Sequence, residues 1–164
     1  MTAGSIMPGA PRVSRPWARF LLCLLLLLIC LPAAAAGAEQ IKWLTYAQTL
    51  ELAPSAAKPV FIYFRAPWCH FCKKMQSQVF PEAQVSAALN RDFLAVDVDV
   101  TQERRVAEAY QVSYLPTSIF LSPQGKPVLV LRGFLPAERL LSALAYMAGG
   151  HYKKKSFQDY ESQP

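Results

Sequence analysis

The sequence contains few of the side chains that build metal centres. Its 164 residues include four cysteines and two histidines, and Cys69 and Cys72 form its single CxxC pair. A zinc site built on such a pair needs two further cysteine or histidine ligands. His151 is the only histidine outside the CxxC segment, and no second CxxC follows. The sequence therefore argues against a four-ligand zinc site, and it predicts neither a bound metal nor a cofactor.

The first 38 residues lack acidic side chains and have the pattern of a bacterial signal peptide. Three arginines precede an apolar run, Phe20–Leu31, and Ala36-Gly37-Ala38 provides the small residues that a leader peptidase requires. We expect cleavage after Ala38 and a periplasmic location. The apolar run is shorter than the roughly 20 residues that cross a membrane, so a retained membrane anchor is the less favoured alternative.

Removal of this leader changes both the cysteine count and the charge. Cys23 and Cys30 leave with it, so the mature chain keeps only Cys69 and Cys72, in an oxidising compartment where thiols pair. The leader takes three of the 17 basic side chains and none of the 11 acidic ones. The mature protein is therefore only mildly basic, and export separates it from nucleic acid.

The sequence shows no internal repeat and no long linker, and it predicts one domain over residues 39–148 with a polar, solvated or loosely docked tail over 149–164. Val60–Phe64 is a continuous apolar run, typical of a central strand that is covered on both faces. The predicted strands are 60–64, 93–98, 117–121 and 128–131, and the predicted helices are 43–52, 70–78, 82–89, 102–110 and 136–147. This order predicts an α/β fold: a four-stranded mixed sheet flanked by helices, with an extra N-terminal helix.

Two motifs stand at strand ends in this arrangement. Ala66-Pro-Trp-Cys-His-Phe-Cys-Lys73 joins a strand to a helix, and Leu115-Pro116-Thr117 opens a later strand. Together with Gly125 and Gly133 around the last hairpin, they resemble the motifs of the thioredoxin-fold family. The match, over about residues 41–148, is to its exported bacterial thioredoxin-like thiol–disulfide oxidoreductases.

The resemblance implies a role for each residue of the two motifs. Cys69, at a helix N-terminus, is the attacking thiolate, because free N–H groups and the helix dipole lower its pKa. Cys72, one turn inside, resolves the mixed disulfide. The supporting residues are Trp68, which shields the site, His70 and Phe71 beside the cysteines, and the segment of Leu115, Pro116 and Thr117. Pro116 resembles the family's cis-proline, whose neighbouring backbone groups pair with an extended substrate segment.

The roles of two residues beside the cysteines remain open at this point. His70 either stabilises the thiolate as a histidinium, which makes the couple more oxidising, or is an exposed residue with little effect. Arg65 either forms a salt bridge across the site or points to solvent.

The strands carry one departure from the family pattern. Tyr63 occupies the position of the buried acid of cytosolic thioredoxins, and Ala95 that of its lysine partner. The acid and its lysine partner are absent together, which is consistent because either charge alone would be costly to bury. Their absence leaves no obvious proton acceptor for Cys72. Asp97 and Asp99 are expected where their strand approaches solvent, and we assign neither a catalytic role.

The leading functional hypothesis is a periplasmic reductase of protein disulfides. We expect it to be monomeric and to receive electrons from a membrane thiol–disulfide transporter. An oxidase or isomerase that uses the same two cysteines is the first alternative. A Cu(I)-binding module that uses Cys69, His70 and Cys72 is the second, because soft thiolates suit that ion.

Overall fold

The fold was analysed in a computed structural model that describes residues 39–162. The signal peptide predicted for residues 1–38 lies outside these residues. No helix within residues 39–162 is long and apolar enough to cross a membrane. The strands are β1 (Val60–Arg65), β2 (Leu94–Asp99), β3 (Thr117–Leu121) and β4 (Pro127–Arg132). The helices are α1 (Tyr46–Ala56), α2 (His70–Gln78), α3 (Ala83–Asp92), α4 (Arg104–Ala109), α5 (Ala137–Ala148) and α6 (Phe157–Glu161), and a short 3-10 turn spans His151–Lys153.

The four strands form one mixed sheet in the order β2-β1-β3-β4, which confirms the predicted architecture. β1 and β2 are parallel, and α2 and α3 make the crossover that a parallel pair requires. β3 runs antiparallel to both β1 and β4. A one-residue bridge from Leu44 to Val96 lies at the outer edge of β2.

β1 lies at the centre of the sheet and is covered on both faces. Its residues 60–64 are at most 3% exposed. Phe61 and Tyr63 point to a core formed with α2, α3 and α5, whereas Ile62 and Phe64 point to a second core formed with α1 and α4. This double burial explains why the strand is apolar throughout instead of alternating.

The N-terminal helix is shifted along the chain relative to its predicted span of 43–52. Thr45 does cap it, in a capping box with Gln48, but Trp43 remains outside and packs edge-on against Phe80. The helix also continues through Pro54, where the sequence predicted a loop. Pro54 lies in the exposed last turn, where a carbonyl left without its N–H partner can face water.

The C-terminal residues fold back against α5 and do not form a solvated tail. Phe157 is only 8% exposed, and the ring of Tyr146 in α5 lies 5.3 Å from the rings of both Phe157 and Tyr160. The Tyr146 hydroxyl donates a hydrogen bond to the Lys155 carbonyl oxygen at 2.7 Å. Tyr152, Phe157 and Tyr160, spread along a polar segment, all contact the Tyr146 ring and supply the apolar area that docks the segment.

Two buried serines of the β3 region differ in their hydrogen bonding. Ser118 is 1% exposed, and its Oγ has no hydrogen-bond partner within residues 39–162. Ser122 is 4% exposed, and its Oγ accepts from the backbone N–H groups of Gln124 and Lys126. An unpaired buried hydroxyl costs stability, whereas a paired one contributes to it.

We predict that Ser118→Ala raises the free energy of unfolding by about 1 kcal/mol, because it removes a desolvated hydroxyl that makes no bond. Ser122→Ala is the matched control and should lower the free energy of unfolding by about the same amount. Urea unfolding curves of the two variants measure both effects. Equal losses of stability in the two variants would contradict the prediction.

Candidate active site

The two cysteines lie directly after the central strand. Beyond Arg65 the chain turns through Ala66, whose carbonyl oxygen accepts a hydrogen bond from the Cys69 N–H at 3.1 Å. Cys69 is the N-cap of α2, and it forms a disulfide with Cys72 in the first turn, with the Cα atoms 5.2 Å apart. The disulfide thus lies just beyond the C-terminal end of the buried central strand.

The two sulfurs have different surroundings. Cys69 is 6% exposed and Cys72 is fully buried. The backbone N–H of Cys72 donates to the Cys69 Sγ at 3.1 Å, and α2 directs the positive end of its dipole to the same sulfur. Once the disulfide is reduced, these contacts would stabilise a negative charge on Cys69 and not on Cys72, which is the asymmetry expected of an attacking and a resolving cysteine.

Aromatic side chains surround the disulfide at the surface. Trp68 is 72% exposed, Phe71 53% and Tyr114 67%. Trp68 borders a shallow groove with Tyr114 and Leu115, and Phe71 lies 6.4 Å from the Phe134 ring. Exposed apolar side chains concentrated in this way indicate a contact surface for another molecule.

Tyr114 and Phe134 were missed in the sequence analysis. Both are neighbours of residues that the sequence motifs contain: Phe134 directly follows Gly133, and Tyr114 directly precedes Leu115. An aromatic residue next to a turn motif was the available signal, but only the fold brings both to the side of the sheet where α2 begins.

The Leu115-Pro116-Thr117 segment is anchored between two neighbouring elements. The Leu115–Pro116 peptide bond is cis. The Pro116 carbonyl oxygen accepts from the Gly133 N–H at 2.7 Å, and Thr117 pairs with Phe64 near the end of β1. Thr117 is buried and its hydroxyl donates to the Tyr114 carbonyl oxygen at 2.7 Å. The sheet therefore brings this segment beside β1, the strand that leads to Cys69.

His70 does not join the aromatic groove. It is exposed and borders a different surface depression together with Lys73 and Lys74, while its ring lies 5.6 Å from that of Phe71. Within residues 39–162, no three His, Cys, Asp or Glu side chains are grouped so as to hold a metal ion.

Arg65 forms a salt bridge, which resolves the alternative left open by the sequence. Its Nε lies 2.7 and 2.9 Å from the two carboxylate oxygens of Asp97, and its Nη1 lies 3.3 Å from Asp99. The Arg65 and Asp97 side chains are 26% and 22% exposed, so Asp97 is more enclosed than the expected strand end in solvent. Burial raises the pKa of Asp97, and Arg65 opposes this effect.

Tyr63 links the central strand to the active-site helix. It is completely buried, and its hydroxyl donates to the Cys72 carbonyl oxygen at 3.0 Å. Burial, followed by the charge of Asp97, raises the pKa of Tyr63, so that the hydroxyl stays protonated. The position at which cytosolic thioredoxins carry a buried acid is therefore occupied here by the neutral hydroxyl-bearing side chain of Tyr63.

The comparison with protein families identifies the domain. A central strand that delivers a CxxC disulfide to a helix N-terminus defines an α/β protein with a thioredoxin-like arrangement. The family described as "Thioredoxin-like domain" matches residues 46–148, more than half of the chain. The chain belongs to this family.

Individual relatives agree with this assignment. The thiol:disulfide interchange protein DsbD of Vibrio vulnificus (strain CMCP6) is 39% identical over 100 residues, covering 57% of this chain but only 17% of DsbD. The disulfide bond reductase DsbH of Chlamydia pneumoniae is 29% identical over 141 residues, covering 71% of this chain and 84% of that protein.

Solved structures share the fold. A thioredoxin from Thermus thermophilus has a TM-score of 0.59 at 29% identity, covering 65% of this chain and 85% of that one. A structure described as "DsbH Oxidoreductase" has a TM-score of 0.56 at 20% identity, covering 73% of this chain and 89% of that one.

We predict that Arg65→Met lowers the free energy of unfolding by about 2 kcal/mol near pH 7, because Asp97 is left enclosed without its cation. The substitution should raise the folded-state pKa of Asp97 further above its unfolded value. The part of the loss that comes from Asp97 is therefore absent near pH 3, where Asp97 is protonated in both states, and appears as pH rises through these two pKa values.

Chemical denaturation at the two pH values measures this difference. Arg91→Met is the control, because Arg91 pairs with Asp92 but is itself well exposed, and it should leave stability nearly unchanged at either pH. A loss in Arg65→Met that does not depend on pH would contradict the prediction.

Proposed function

We propose that this chain is an exported thiol–disulfide oxidoreductase that reduces disulfide bonds of other proteins in the periplasm. The observation that supports this most directly is the Cys69–Cys72 disulfide at the start of α2, in which Cys69 is 6% exposed and Cys72 is completely buried. The names of two relatives, a thiol:disulfide interchange protein and a disulfide bond reductase, support the same chemistry.

In the reducing direction, the Cys69 thiolate attacks one sulfur of a substrate disulfide. An S–S bond forms between Cys69 and that sulfur, and the other substrate sulfur leaves with the electron pair and takes up a proton. Cys72 then loses its proton and attacks the Cys69 sulfur, which releases the second substrate thiol. Two electrons pass to the substrate, its two thiols take up the proton lost by Cys72 and one proton from solvent, and the Cys69–Cys72 disulfide remains.

The surroundings of the disulfide suit an extended polypeptide substrate. Within residues 39–162, neither the N–H nor the C=O of Leu115 makes a hydrogen bond to another protein group. These groups adjoin the groove bordered by Trp68 and Tyr114. Backbone pairing at Leu115, with apolar contacts to the two aromatic rings, would hold a segment independently of most of its side chains. Pro116 and Thr117 serve to keep Leu115 in place.

The reducing direction is preferred because an exported dithiol needs an external source of electrons. A membrane thiol–disulfide transporter would supply them by reducing the Cys69–Cys72 disulfide after each cycle. His70 lies exposed beside Cys69 and would be the side chain of the motif that tunes the couple. A reduction potential well above that of the glutathione couple would instead favour an oxidase.

We predict that the purified mature chain reduces insulin with dithiothreitol as donor, and that Cys69→Ser and Cys72→Ser each abolish turnover. Cys72→Ser should in addition accumulate a mixed disulfide with insulin, because its attacking thiolate remains but the resolving thiol is gone. Ser77→Ala, an exposed change in the same helix, serves as the control and should turn over normally.

Non-reducing gels and mass spectrometry detect the trapped species. Tight stoichiometric Cu(I) binding by a chain that does not reduce insulin would contradict the oxidoreductase proposal and favour the copper-binding alternative.

We also predict that the full-length chain expressed in a Gram-negative host is recovered from the periplasm with Glu39 as its first residue. Replacing Arg12, Arg15 and Arg19 by glutamate should retain it in the cytoplasm as the uncut precursor. Fractionation and intact-mass measurement provide the readout. A full-length product in the membrane fraction would support the retained anchor instead.

A further inference from the structure

Aromatic packing fixes the position of the Tyr63 hydroxyl. The Tyr63 ring packs edge-on against Phe80 at 4.8 Å and lies 6.1 Å from the Trp43 ring. Since the residue is completely buried, its ring has little room to move. The hydrogen bond from its hydroxyl to the Cys72 carbonyl oxygen is therefore a rigid link between β1 and the first turn of α2.

The sheet register surrounds Tyr63 with polar neighbours. Asp97 in β2 and Ser118 in β3 are its direct partners, so the three side chains share one face of the sheet. Asp97 is held by Arg65 through both carboxylate oxygens. A polar row therefore crosses the centre of the sheet below α2, and within it only Tyr63 makes a hydrogen bond to that helix.

Under the proposed function, Cys72 carries the second chemical step from a completely buried position. Its thiol loses a proton, and its sulfur attacks the Cys69 sulfur of the mixed disulfide. The Cys69–substrate bond breaks, and the substrate sulfur leaves with that electron pair and takes up a proton. Such an attack requires the three sulfurs to be nearly in line, so the rate depends strongly on where the first turn of α2 holds Cys72.

We propose that Tyr63 is a positioning residue for this second step, and that its hydroxyl keeps Cys72 in line with the Cys69 sulfur. The acceptor is the main-chain carbonyl of Cys72 and not its sulfur, so the link does not depend on whether the sulfur is oxidised or reduced. This proposal rests on the proposed function in one respect, because it takes Cys72 to be the resolving cysteine.

Tyr63→Phe tests the proposal, because it removes the hydroxyl and keeps the ring. Tyr110→Phe is the matched control: its hydroxyl lies 3.3 Å from that of Tyr46, and its ring packs in the other core, under α1 and α4. The reduced proteins are mixed with oxidised glutathione and quenched with acid. Mass spectrometry then gives the rate at which the glutathione mixed disulfide forms and the rate at which it resolves.

We expect Tyr63→Phe to slow resolution about fivefold, the equivalent of one lost hydrogen bond, with formation changed less than about twofold. Tyr110→Phe should leave both rates as in the wild type. Unchanged resolution in Tyr63→Phe, or an equal slowing of both steps, would overturn the proposal.

Glutathione is not the proposed substrate, so this test is separate from the insulin assay. Failure of insulin reduction would count against the proposed function while leaving the glutathione rates to decide the role of Tyr63. Thermal unfolding of both variants shows that each is folded at the assay temperature.

Discussion

The burial of β1 on both faces is the constraint on which the rest of the structure depends. A strand whose residues 60–64 are almost inaccessible to solvent must have helices on each side and strands on each edge. The chain leaves this strand after Arg65 and reaches the surface at Pro67. The turn that carries Cys69 comes directly after β1. The disulfide is therefore attached to the end of a strand that is buried on both faces.

The charged groups below the site are tolerated because those at this end of the sheet lie in contact with an opposite charge. Arg65 in β1 lies against two carboxylates of β2, and the parallel register makes this possible by placing Asp97 and Asp99 beside Tyr63 and Arg65. Deeper in the core, Tyr63 contributes a neutral hydroxyl instead of a charge. Desolvation is therefore confined to groups that have partners or carry no charge.

The sequence predicted the elements whose signals are local and missed what depends on distant contacts. The bounds of α2 and β3 are as predicted, because a CxxC turn and a proline mark their beginnings. The course of α1 through Pro54 was missed. The tail was expected to be either solvated or loosely docked, and the sequence did not single out Phe157 as the residue that packs on α5. Pro54 normally signals a helix end, and Phe157 packs on Tyr146, which lies in a separate helix earlier in the chain. The Arg65–Asp97 pair was left open for the same reason, since it depends on the register of two strands.

The asymmetry between the two sulfurs connects these observations. Helix geometry alone places Cys69 at the dipole end and Cys72 one turn inside, which any CxxC at a helix start would do. Burial of Cys72 adds a difficulty: it protects the sulfur from other thiols, but it also makes the sulfur's reaction depend on the position of its helix. A backbone contact is a suitable remedy, because a bond to the sulfur itself would have to break in every cycle. Tyr63 makes such a contact from the central strand of the sheet, which is buried on both faces.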